Sequence, residues 1–75
     1  MKEATHRTMI TRWCLVWHSD RGRVFIYDEA GAGPEIINAV MFHGINPALD
    51  YKEKWWSNHK RDIRPASINM VVEEI

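Results

Sequence analysis

The residues most able to contact a ligand or partner concentrate in the stretch YKEKWWSNHKR, residues 51–61. It sets two adjacent tryptophans among lysines, a histidine and an arginine. Lysine and arginine bind phosphates or carboxylates, and an exposed tryptophan can stack on a base or anchor a protein interface. We therefore expect a partner-binding surface in this region, made by Lys52, Trp55, Trp56, Lys60, Arg61 and Arg64.

The doubled tryptophan limits how such a surface can be built. In an α-helix, adjacent side chains point about 100° apart. Trp55 and Trp56 therefore cannot both point at the centre of a hydrophobic core, and at least one ring is expected to stay partly exposed. The sequence leaves open which of the two it is.

The charges are segregated along the chain although the net charge is zero. Residues 1–27 carry a net +3, residues 28–50 a net −4, residues 51–64 a net +3 and the remainder a net −2. All four tryptophans lie in the two positive segments, and such segregation can steer an acidic partner. Alternatively, folding brings the segments together and the asymmetry disappears. The first positive segment supplies three candidates for accessory contacts: Arg12, Arg21 and Arg23.

Patterns typical of catalytic or metal sites are absent from the sequence. It contains no H-E-x-x-H, G-x-S-x-G or P-loop motif, and its four histidines lie in four different segments. Cys14 and His18 would be about 13 Å apart in a strand, too far to bind one metal ion. We expect no catalytic residue, no cofactor and no metal site. A small enzyme or metal-site protein remains the third hypothesis.

Two further stretches match nucleotide or RNA motifs only in part. The loop AGAGP, residues 30–34, lacks the third glycine of G-x-G-x-x-G because Ile36 takes its place. The stretch RGRVFIYD, residues 21–28, agrees with the aromatic strand motif of RNA-recognition domains at three positions, with a near match at a fourth. We interpret the first as a strand-to-helix connection and the second as an ordinary strand.

Size and composition favour one small domain. A chain of 75 residues buries only about 60% of the surface that its unfolded form exposes, so four tryptophans are a large share of its core. One cysteine permits no intramolecular disulfide, which favours a reducing compartment. The N-terminus lacks an apolar leader, and no apolar run reaches membrane-spanning length. We expect a cytoplasmic domain over residues 9–75, after a flexible segment over residues 1–8.

A β-hairpin is predicted near the N-terminus. Residues 9–18 and 23–28 are rich in β-branched and aromatic types, and the turn sequence SDRG lies between them. Alternation along the strands predicts one apolar face that forms the core, made by Trp13, Leu15, Trp17, Phe25 and Tyr27.

Two helices and a strand are expected to follow the hairpin. Pro34 fits a helix start, and Gly44 fits its end. Asn46-Pro47 starts a second helix that we expect to end before Pro65, although a strand over residues 51–61 is the alternative. Residues 67–74 read as a final strand beside the hairpin. The prediction is an α+β domain of order ββααβ, a three-stranded, largely antiparallel sheet with helices on one face.

These features favour a small non-catalytic binding protein that inhibits or regulates a larger protein with an acidic surface. Compact accessory factors of phages act in this way. A module that binds single-stranded nucleic acid or RNA is the alternative, although the neutral charge and a sequence pI of about 6.9 argue against it. No membrane contact is expected, and the oligomeric state is left open.

Overall fold

The computed structural model describes residues 6–20, 22–57 and 62–74. Within them the chain forms one four-stranded antiparallel sheet and one α-helix. The predicted α+β class agrees with this architecture, but the order ββααβ and the count of three strands do not. The elements in chain order are β1 (His6–Ser19), β2 (Gly22–Ile26), β3 (Ala32–Gly33), a 3-10 helix (Ile36–Asn38), α1 (Ile45–Trp56) and β4 (Ile63–Glu74).

Strand β1 is the central element, because it pairs with β2 on one side and with β4 on the other in the order β3-β2-β1-β4. The β4 pairing runs from His6 opposite Glu74 to Trp17 opposite Ile63. Strand β2 pairs only with the last four residues of β1. Residues 6–12 and 68–74 therefore extend past the rest of the sheet as a two-stranded ribbon, which we call the arm.

The predicted hairpin is confirmed, and its register corrects the predicted core face. Val16 lies opposite Phe25, and Trp17 lies opposite Val24. Directly opposed residues share a face, so Phe25 projects on the side away from Leu15. Grouping Trp13, Leu15 and Trp17 with Phe25 and Tyr27 was therefore wrong. Alternation assigns faces within each strand, but only the turn fixes how the two strands are aligned.

The turn before β2 sets its alignment with β1, and the turn after β2 sets its alignment with β3. Gly22 has a φ of 112°, in the left-handed region that glycine adopts without strain, and Ser19 pairs with it. At the other end, the Asp28 carboxylate accepts N–H bonds from Ala30 at 2.9 Å and Gly31 at 2.6 Å. Residues 27–31 thus close a second hairpin between β2 and β3, and the AGAGP stretch supplies the end of this turn and β3 itself, so it is not the predicted strand-to-helix connection.

The helix predicted after Pro34 is reduced to the 3-10 helix Ile36–Asn38. Beyond it, the Val40 N–H donates to the Ile26 carbonyl at 3.0 Å. Phe42 and Trp13 exchange two backbone hydrogen bonds of 2.8 Å. The chain therefore runs in extended form beside β1, and sheet carbonyls accept hydrogen bonds from the N–H groups of Val40 and Phe42.

The second predicted helix is confirmed as α1, with different ends. It begins at Ile45 with Gly44 as the N-cap residue, so Asn46 and Pro47 lie in its first turn, where N–H groups have no intrahelical partner. It ends at Trp56, and β4 already begins at Ile63. The final strand is confirmed and is longer than predicted. Residues 6–8 of the segment predicted to be flexible belong to β1.

The core lies between α1 and the sheet. The buried residues of this cluster are Leu15, Ile26, Ala48, Trp56 and Ile63. Ala48 has no exposed surface, and its small side chain lets the helix approach the strands closely. The rings of Phe42 and Tyr51 contact each other at its margin, with centroids 5.2 Å apart. The Trp56 indole N–H donates to the Asp28 carbonyl at 3.1 Å, which ties the helix end to the β2–β3 turn.

The two adjacent tryptophans should respond differently to the same substitution. Trp56→Phe removes buried ring volume and the hydrogen bond to Asp28, so we expect a loss of about 1–3 kcal/mol in the free energy of unfolding. Trp55→Phe at an exposed site should change it by less than about 0.5 kcal/mol. Urea denaturation followed by circular dichroism measures both. Equal losses in the two variants would contradict the assignment of Trp56 to the core.

Candidate binding groove

The face of the sheet opposite α1 carries a groove with a volume of about 260 Å³. Its apolar floor comes from three neighbouring strands, since the register places Cys14 opposite Ala66, and Val16 opposite Phe25. Ile36, from the 3-10 helix, lies at its edge. The floor residues are Cys14, Val16, Phe25, Ala66 and Ile68.

Partial cover explains why this face holds a groove and not a second closed core. Ala39 is buried against Cys14 and Val16, so the extended segment after the 3-10 helix covers part of the face. Ala66 is small, and within the described residues α1 lies on the other side of the sheet. The space over Ala66 and Ile68 is therefore left open.

The rim of the groove is basic. His18, Arg23 and Arg64 contribute to its lining, and no carboxylate does so among the described residues. Arg64 donates from Nε to Asp62 at 3.0 Å, but both side chains are largely exposed, so this ion pair is weak and leaves most of the guanidinium in solvent. An anionic group entering the groove would meet fixed positive charge.

Three of the arginines proposed as contact residues share this face. Arg23 and Arg64 line the groove. Arg12 lies opposite Ile68 and so projects on the same side, farther along β1. The structure thus brings together two accessory candidates and one residue of the predicted main surface, although they are far apart in sequence.

The tryptophan-lysine part of the predicted surface is separated from these arginines. Lys52 and Trp55 belong to α1, on the opposite face of the sheet. Trp55 is 43% exposed, with the Lys54 ammonium 5.2 Å from its ring centroid. Lys52 is half-buried in the same helical row as Ala48 and Trp56.

One predicted contact residue is wrongly assigned, and three lie outside the described residues. Trp56 is only 3% exposed and is a core residue, because the row it shares with Ala48 faces the sheet. Lys60, Arg61 and Arg21 are not among the described residues, so their assignment stays a prediction.

The groove floor and His18 were missed from the sequence, although part of the signal was present. Alternation in β1 already placed Cys14, Val16 and His18 on one face. Arg64, Ala66 and Ile68 alternate in the same way, but the predicted final strand begins only at residue 67, so this alternation is not recognised from the sequence. Reading the preceding residues as strand as well would have joined the two sets.

Within residues 6–20, 22–57 and 62–74, no three side chains of His, Cys, Asp or Glu lie close enough to hold a metal ion. Cys14, at the base of the groove, is almost fully buried. That burial raises the pKa of its thiol, and the nearby Arg23 charge opposes the shift without cancelling it.

None of the helices in the described residues is long and apolar enough to cross a membrane.

Cys14 should react slowly while the protein is folded. Because burial raises the pKa of the thiol and blocks access, alkylation by iodoacetamide at pH 8 should be at least about tenfold slower than in urea-unfolded protein. Mass spectrometry of quenched samples measures the rate. Equal rates in the two states would show that the thiol is open to solvent.

Alkaline pH should destabilise the fold. Burial raises the pKa of Tyr51, and Glu29 and Asp28 raise it further. The stability that this phenol contributes is full below its unfolded value of 10.0 and is lost as pH rises through its folded pKa. Tyr51→Phe keeps the ring beside Phe42 and should make the decline in melting temperature above pH 10 shallower. An unchanged slope would contradict this origin.

Comparison of the chain with protein-family models, with curated proteins and with solved structures finds no match. The function is therefore inferred from the fold and from the geometry of the groove.

Proposed function

We propose that this is a small non-catalytic binding protein that engages a larger protein through the face opposite α1. The observation that carries the proposal is the groove, whose floor is apolar and whose lining, within the described part of the chain, includes three basic side chains and no carboxylate. A complementary partner presents an apolar side chain flanked by acidic residues. By covering such a segment the protein would inhibit or regulate the molecule that carries it.

The two parts of the groove have different roles in this proposal. Burying one leucine or phenylalanine side chain of the partner on the floor is worth about 1.5–3 kcal/mol. The charges of Arg23 and Arg64 would steer an acidic segment and fix its orientation more than they add affinity. Arg12 extends the positive charge along the same face, which suits a segment longer than the groove itself.

Single-stranded nucleic acid is the second candidate, because Phe25 and three arginines lie on one face. Base stacking needs an open aromatic ring. Phe25 is instead partly buried against the cluster of Cys14, Val16 and Ala39, and the rest of the floor is not aromatic. This surface therefore favours a protein partner, and we place the interaction in the cytoplasm on the strength of the single cysteine.

Two neighbouring isoleucines provide a matched test of the groove. Ile36 lines it and is 45% exposed, whereas Ile37 is 84% exposed and does not line it. Affinity capture from lysate after nuclease treatment should yield a protein bound by the wild type and by Ile37→Asp. We expect Ile36→Asp to lose it, because a carboxylate at the groove edge would repel an acidic segment.

Substitutions on the two faces of the sheet test the groove a second time, without relying on Ile36. Arg23→Glu in the groove should abolish capture, while Lys54→Glu and Trp55→Ala on α1 should leave it unchanged. Circular dichroism checks that each variant is folded. If capture were lost only in the α1 variants, the binding surface would be on the helix and not in the groove. Loss of every bound protein on nuclease treatment, with salt-sensitive binding of an oligonucleotide, would favour the nucleic-acid function.

A further inference from the structure

The outer edge of β4 has no strand beside it within the described residues. Its central part, residues 66–72 with the sequence ASINMVV, contains no charge and no proline. Met70, Val71 and Val72 are all exposed there. An open apolar edge of this length readily pairs with another strand.

The hydrogen-bonding direction of β4 can be read from its first contact with β1. The His18 N–H donates to the Asp62 carbonyl at 2.8 Å, so the even-numbered residues of β4 bond toward β1. The odd-numbered residues bond outward. Pro65, which has no N–H to donate, falls in the outward set, as a strand proline must. Ser67, Asn69 and Val71 therefore present backbone groups to the open edge.

Charged residues flank this edge with opposite signs at its two ends. Arg64 and Pro65 precede the uncharged part, and Glu73 and Glu74 follow it. An antiparallel neighbour of identical sequence would bring the basic end of each strand beside the acidic end of the other. The edge of β1 in the arm, which likewise has no strand beside it among the residues described, carries Arg7 and Arg12 within residues 6–12, and charges within an edge oppose pairing.

We propose that β4 pairs with β4 of a second copy of this chain, antiparallel and centred on Asn69. This register places Arg64 opposite the partner subunit's Glu74, and Ile68 opposite the partner subunit's Met70. Ala66 then meets the partner subunit's Val72. A carboxylate has two oxygens, so Glu74 can accept this contact together with one in its own chain.

Neighbouring registers fit less well. Sliding one strand by two residues, which keeps the outward N–H groups paired, places Glu74 opposite the partner subunit's Ala66 or Arg64 opposite the partner subunit's Val72. Either shift sets a charge against an apolar side chain. The centred register pairs charges with charges and apolar residues with apolar residues, and it is two-fold symmetric, the commonest arrangement of protein dimers.

The resulting dimer has one continuous eight-stranded sheet. Opposed residues share a face, so both α1 helices lie on one side and both grooves on the other. The partner subunit's Met70 and Val72 lie beside Ile68 and Ala66, and they lengthen the apolar floor of each groove. The pairing is argued from the strand edge and does not depend on what the groove binds.

Engineered disulfides test the register. Asn69→Cys places two thiols on directly opposed residues, about 5.5 Å apart between Cα atoms and within disulfide range. In Val71→Cys the two thiols are four residues apart along the strands, about 13 Å. Oxidation should give a covalent dimer of Asn69→Cys and leave Val71→Cys uncrosslinked. Crosslinking of both to the same extent, of Val71→Cys alone, or of neither would overturn the proposal.

Charge exchange tests the pairing without a crosslink. Sedimentation equilibrium should show a dimer of the wild type. Arg64→Glu should raise the dissociation constant of the dimer by about tenfold or more, because the new carboxylate at position 64 faces the carboxylate of the partner subunit's Glu74 in both symmetry-related contacts. Arg64→Glu/Glu74→Arg should recover the wild-type value to within about threefold. A wild-type monomer at every concentration, or no recovery in the double variant, would overturn the proposal. The β4 edge would then be a candidate for pairing with a strand of a different protein. Partner capture by the groove is a separate measurement, so the two proposals can fail independently.

Discussion

The pairing of β1 with β4 is the constraint on which the rest of the structure depends. Twelve consecutive residue pairs fix which side chains lie above the sheet and which lie below it. A slip of one residue would exchange the two faces of β4, so that Ile63 would leave the core and Arg64 would enter it. Both the core and the basic groove are therefore consequences of one strand alignment.

The two faces of the sheet have different roles in this small chain. One face is closed by α1, where Trp56 and Ala48 meet Leu15 and Ile26, and this is where stability arises. The other is covered, as far as the described residues show, by the extended segment around Ala39 alone and keeps an accessible apolar floor. A second helix on that side would have produced a larger core and no groove.

The sequence predicts local structure well and the relation between segments poorly. The hairpin, the helix containing Tyr51 and the last strand follow from turn residues and periodicity within short windows. The face of Phe25 and the failure of the helix after Pro34 depend on backbone partners distant in sequence, which no local pattern records. In the same way, three arginines could be proposed as contacts, but their placement on one face of the sheet required the register of two strand pairs.

One consequence of the β1–β4 pairing concerns the time at which the domain can form. The paired residues are 46 to 68 positions apart in the chain, and contacts of such separation are slow to form because a long loop must close first. During synthesis β1 and β2 leave the ribosome well before β4 does. Until β4 emerges, the backbone N–H and C=O groups of β1 that bond to β4 have no strand to pair with. The nascent chain is thus most exposed to mispairing in the interval between the emergence of β1 and the emergence of β4.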